Sequence, residues 1–164
     1  MTVNKMQNQE LDLNKYKINN YKETKINHLS ILAHALIFKD YEDIKGIILA
    51  NDKIISLNQI EEDGLETISY LLDSQKCNLE EKIDIAKIYF TKIRKTDIIT
   101  HTNFITLCVA KNQSILLLKL LESGLVNKDD ILVQNVKETI KEQILSQIDL
   151  QNYFSLYVKV FGKD

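Results

Sequence analysis

A chain of 164 residues with 45% hydrophobic and 27% charged residues has an ordinary globular composition and the length of one domain. Proline is absent and glycine occurs only 4 times, which excludes a turn-rich β sandwich and favours an all-α fold. The net charge is −2 and Arg94 is the only arginine, so the planar forks that read phosphates and guanine edges are missing and no nucleic-acid partner is expected.

Met1–Lys15 is polar and lacks the apolar stretch of a signal peptide, and no apolar run approaches the roughly 18 residues of a membrane span. The expectation is a protein without a membrane partner that is cytoplasmic, or delivered into a host cell without a recognisable signal peptide. Residues 1–22, rich in Asn, Lys and Gln, read as a flexible tail whose later half, with Tyr16, Ile18 and Tyr21, packs back onto a single helical-repeat domain at 23–164.

Asn27 is the first expected N-cap, followed by Leu29, Leu32, Ala33 and Leu36 at helical spacing. Asp40 caps the next helix, which carries Ile44, Ile47 and Ile48 and stops at Asn51, a residue that tolerates the left-handed conformation. A loop with Ile54, Ile55 and Leu57 follows and closes at Glu62-Asp63-Gly64. Glu66–Asp73 then puts Ile68, Leu71 and Leu72 on one helical face. Asn78 with Glu81 forms a capping-box start for a longer helix through Ile85, Ile88, Tyr89 and Ile93.

Asn103–Asp129 is the most regular stretch: a short apolar helix, a polar turn at Lys111–Gln113, a Leu-rich helix and a glycine exit at Gly124. First helices starting near Ser30, Glu66 and Asn103 recur at an interval of about 36 residues, and such pairs need stacked neighbours to bury their apolar faces. Two cap helices are expected at about 129–162. One has a face of Leu132, Val133, Val136, Ile140 and Ile144; the other is capped by Asp149 and carries Leu150, Phe154, Tyr157 and Phe161.

Gln113–Asn127, with Glu122, Ser123, Gly124, Val126 and Asn127, resembles the second helix and exit of an ankyrin repeat. Asn103, Ile105, Leu107 and Val109 resemble the first-helix pattern, although Phe104 replaces the family's proline. His28–His34 with Asp40–Asn51 is a more degenerate copy, and the middle unit departs most, with no glycine between its helices. The resemblance covers about 100 residues and implies stacked helix pairs, an ankyrin-like solenoid, that hold another protein along the loop tips and first helices. It points to Phe38 and Lys39 in the first unit, Gln75 and Lys76 in the second, and Lys111, Asn112 and Gln113 in the third as partner-binding residues.

Little in the chain suggests chemistry. His28 and His34 are six apart, where a helical metal pair needs four, and His101 with Asp97 falls in an inter-repeat connection, so no metal is expected. Cys108 lies in an apolar helix and reads as packed core, while Cys77, beside Lys76 near a helix start, reads as the more reactive thiol with a lowered pKa. Glu61-Glu62-Asp63 and Glu80-Glu81 sit where negative charge favours helix starts. No glycine-rich phosphate loop or catalytic signature occurs, so neither a cofactor nor an enzyme is expected.

The expected function is therefore a non-catalytic protein-protein interaction module. The lysine-for-arginine and Asn/Ile bias of an AT-rich genome speaks to origin rather than function; together with the expected lack of a leader and the degenerate repeats, it fits a microbial or viral factor that binds a host protein. The alternative is a compact helical subunit that forms a homo-oligomer through its aromatic C-terminal helix, with Tyr153, Tyr157 and Phe161 as the assembly surface.

Overall fold

Ser30, rather than Asn27, starts the first helix. In the computed structural model, which describes residues 11–51, 60–93 and 102–163, Asn27 and His28 both take left-handed backbone (φ 52° and 69°). They form the two-residue turn of a small antiparallel hairpin, β1 (Lys25–Ile26) with β2 (Leu29–Ser30), in the register Lys25↔Ser30 and Ile26↔Leu29. Two successive positive φ values are what a tight hairpin turn demands, and Asn supplies them at low cost. The Ser30 hydroxyl then accepts the Ala33 N–H at 3.2 Å and opens α1 (Ile31–Phe38).

The remaining starts follow the capping residues more closely. The Asp40 carboxylate accepts the Asp43 N–H at the head of α2 (Tyr41–Ala50). Asn78 and Glu81 close a reciprocal capping box, at 2.8 and 3.0 Å, at the head of α3 (Leu79–Ile93). α4 (Thr102–Ala110) and α5 (Ser114–Glu122) form the regular pair, joined through Asn112 in left-handed backbone. α5 ends at Gly124 (φ 76°), with the Gly124 N–H on the Leu121 carbonyl and the Leu125 N–H on the Leu120 carbonyl, the paired bonds of a Schellman stop. Asp130 caps α6 (Ile131–Ser146) through the Leu132 N–H, and α7 (Phe154–Phe161) closes the described chain.

Three expectations change. Glu66–Asp73 forms a 3-10 helix over Thr67–Asp73, yet still buries Ile68, Leu71 and Leu72. Asn51 ends α2 without left-handed backbone; its side chain does the capping instead, with Nδ2 donating to the Ile47 carbonyl at 2.9 Å. Asp149 does not cap the last helix but lies exposed inside a 3-10 turn, Ile148–Tyr153, which delays α7 to Phe154. The loop residues Ile54, Ile55 and Leu57, and Asp97 with His101, lie outside the described residues.

The helices arrange in two layers. One layer runs α1, the 3-10 helix Thr67–Asp73, α4 and α6, each packed on the next; the other runs α2, α3, α5 and α7 in the same order. Within each successive pair the two members also touch, so the apolar faces of both layers meet in one continuous core. Its centre holds Phe90 of α3, edge-on to Tyr89 at 5.6 Å and to Phe104 of α4 at 5.2 Å, which ties the layers together. Residues 11–23, part of the expected tail, form two 3-10 turns; the first lies on α2, and Tyr21 enters the core with 8% of its surface exposed.

α7 folds across the end of its layer, against α5 and α6. Tyr157 stacks on Phe154 at 5.9 Å, packs on Phe161 at 5.0 Å, and is only 2% exposed. Of the aromatic surface expected for assembly, Tyr157 therefore faces inward, and Tyr153 and Phe161 are half-buried against the core. No helix among the described residues is long and apolar enough to cross a membrane.

A candidate recognition edge at the helix turns

The turns that link the two layers line up along one edge, and hydrogen bonds join each to the next. The Gln75 N–H donates to the Ile37 carbonyl at 2.9 Å, linking the second turn to the end of α1. Gln113 Nε2 donates to the Leu72 carbonyl at 2.8 Å, and Lys111 Nζ meets Asp73 Oδ1 at 2.6 Å, linking the third turn to the second. Gln143 of α6 repeats the device: Nε2 donates to the Val109 carbonyl at 2.8 Å while its Oε1 accepts the Ser114 hydroxyl. The bonds to Ile37, Leu72 and Val109 each reach a backbone carbonyl in the last turn of its helix, where carbonyls lack a partner within the helix.

These bonds sort the seven expected contact residues. Phe38 is 39% exposed and packs its ring at 4.8 Å from His34. Lys39, Gln75, Lys76 and Asn112 have exposed side chains along the same edge. Lys111 is exposed but committed to Asp73. Gln113 is half-buried, and both ends of its amide are engaged, with Oε1 accepting from Lys82 Nζ at 3.4 Å. Gln113 thus holds turns together, whereas Phe38, Lys39, Gln75, Lys76 and Asn112 face outward.

The thiols behave differently from one another and, for Cys77, from expectation. Cys108 is fully buried in α4, and burial pushes its pKa far above the ordinary 9.0. Cys77 is 9% exposed and free, and its pKa is raised, not lowered. Desolvation outweighs the hydrogen bond to Ser74 and the attraction of Lys82, and Glu81 and Asp40 add to the rise. Neither thiol is placed as a ready nucleophile. His28 sits exposed at 3.8 Å from Glu62, and the described residues contain no cluster of His, Cys, Asp and Glu able to hold a metal ion.

Sequence reasoning missed two carboxylates of structural consequence. Glu61, 4% exposed, accepts the Ser30 N–H and hydroxyl at 2.8 Å each and the Thr67 hydroxyl. Glu66, 3% exposed, accepts the Phe104 N–H at 3.0 Å. The short loop between them, closed by an Ile60↔Glu66 bridge, therefore fixes the N-termini of the helices before and after it. Glu61 reads in the sequence as a helix-start charge and Glu66 as the first residue of its own helix; the bonds of both reach neighbouring units.

No family model, curated protein or solved structure matches this chain.

Proposed function

We propose that this protein is a non-catalytic recognition module, an ankyrin-like stack of helix pairs that holds another protein along its turn edge. The observation that supports this most is the set of bonds Ile37–Gln75 and Leu72–Gln113, which join the successive turns in one row, with Gln143 of α6 fastening the Val109 carbonyl beside the third turn. Such a row presents its turns at a set spacing, so that binding orders side chains more than backbone. Phe38 supplies an exposed aromatic anchor, and Lys39, Gln75, Lys76 and Asn112 supply a polar rim around it. The buried, protonated thiols give no support to a nucleophilic enzyme. The AT-rich composition fits a microbial or viral origin, and the partner proposed on that ground is a host protein.

Self-association through Tyr153, Tyr157 and Phe161 has less support, because Tyr157 is enclosed by its own chain. The test combines Phe38→Ser, Lys39→Glu and Lys76→Glu and compares the proteins retained from host-cell lysate with those retained by the unaltered chain. A discrete partner retained by the unaltered chain and lost by the folded triple variant is expected. A partner retained equally by both would contradict the edge assignment.

A further inference from the structure

The outer side of α2 carries a receptor shaped for one tyrosine. Gly46 lies buried within this helix, at a position where glycine is among the least favourable residues. A Cβ added there would sit 2.3 Å from Cδ2 and Cε2 of Tyr16, so the Tyr16 ring fills the space a side chain would take. The Tyr16 hydroxyl donates to Asp43 Oδ1 at 3.0 Å. Asn51 reads the backbone on the other side: Nδ2 donates to the Tyr16 carbonyl at 2.9 Å, and Oδ1 accepts the Ile18 N–H at 3.2 Å. A third Asn51 bond, from Nδ2 to the Ile47 carbonyl, holds the amide in that orientation.

The occupant is far less committed than the receptor. The turn Leu13–Tyr16 contains no buried residue, and Leu13 is 39% exposed. Firm anchoring resumes only at Tyr21, whose hydroxyl accepts the Leu32 N–H at 3.2 Å inside the core. The segment before it is held by the Tyr16 ring, the half-buried Ile18 side chain packed against the core and a few polar bonds, with no residue fully buried, the kind of element that opens at lower local cost than the core. A specialised socket filled by a weakly held segment is the arrangement of a peptide site occupied in cis.

We propose that Asp43, Gly46 and Asn51 form a peptide-binding site for a segment in which a tyrosine is followed two residues later by an aliphatic residue, and that Leu11–Ile18 of the chain occupies it in the resting molecule. The ring is recognised by the space over Gly46, the hydroxyl by Asp43, and the carbonyl and the N–H two residues on by the two ends of the Asn51 amide, the mixture of main-chain and pocket contacts typical of peptide recognition. The site shares no residue with the turn edge and stands independently of the function proposed for it.

The test uses the full chain carrying Tyr16→Ala and a fluorescein-labelled peptide of residues 11–20, followed by fluorescence anisotropy. Saturable binding is expected, weakened about tenfold by Asn51→Ala, which removes two bonds to the peptide, and abolished by Gly46→Leu. Absence of binding to a folded Tyr16→Ala chain, or binding indifferent to Gly46→Leu, would overturn the proposal. In the unaltered chain, excess unlabelled peptide is expected to speed amide exchange at Lys17 and Ile18 by displacing the cis segment. Unchanged exchange at those amides would also overturn it, whatever the stability of the Tyr16→Ala variant.

Discussion

Glu61 grips Ser30 with both carboxylate oxygens, one on the backbone N–H and one on the hydroxyl, each at 2.8 Å. The same hydroxyl caps α1 through the Ala33 N–H, so the helix start, the hairpin before it and the loop after it share one buried knot. Glu61→Ala would strand three buried donors, on Ser30 and Thr67, and is expected to lower stability by about 3 kcal/mol. Glu61→Gln keeps one acceptor oxygen and should lose less. Urea denaturation of both variants checks the order.

The third turn offers a contrast between two bonds to the same neighbour. Gln113→Ala removes a half-buried amide from the Leu72 carbonyl and should cost about 1 kcal/mol. Lys111→Ala breaks the pair with Asp73, whose partners are 36% and 45% exposed, and should cost under about 0.5 kcal/mol. If the lysine variant proved the less stable, the row would rest on charge rather than on the amides.

Alkaline pH should weaken the fold. Burial raises Cys77 and Cys108 above the ordinary thiol value of 9.0, and Tyr21, Tyr41 and Tyr89 above the ordinary phenol value of 10.0. Their folded-state pKa values exceed the unfolded ones, so the stability they contribute is complete below pH 9 and lost as pH rises past it, because only the unfolded chain then releases protons. The urea midpoint is expected to hold between about pH 7 and 8.5 and to fall steadily above about pH 9. Iodoacetamide should react slowly with both native thiols, and with Cys77 before Cys108.

The last helix closes the layer and does so through its aromatic face. Tyr157→Ala, at a position 2% exposed, is expected to cost about 3 kcal/mol. Deleting Gln151–Asp164 should abolish cooperative unfolding. A truncated chain that melted normally but changed its oligomeric state, as judged by light scattering, would favour the assembly reading instead.

The features legible in the sequence are those encoded within a few residues of one another. Asp40, the Asn78–Glu81 box and the Gly124 stop each act on backbone within one helical turn, and all stand where expected. Asn27 misled because asparagine suits both an N-cap and a left-handed hairpin turn, and the turn prevailed. Cys77 misled because proximity to Lys76 is visible in the sequence while desolvation is not. Glu61–Ser30 and Tyr16–Asp43 join residues 31 and 27 apart, beyond any local pattern. Gly46, a glycine inside an apolar helical stretch, was the one sequence signal for the latter. Along the candidate edge, Lys39, Gln75, Lys76 and Asn112 were legible as turn residues and Phe38 ends α1, but the structural commitment of Gln113 required the neighbouring Leu72 carbonyl.

Site-specific photo-crosslinking asks whether the row of turns contacts another protein, as proposed. A photoreactive residue at Phe38, Gln75 or Asn112, all exposed on the edge, is compared with one at Glu138, exposed on α6. The same protein adduct is expected from all three edge positions and none from Glu138. Adducts from Glu138 alone, or equally from all four positions, would contradict it.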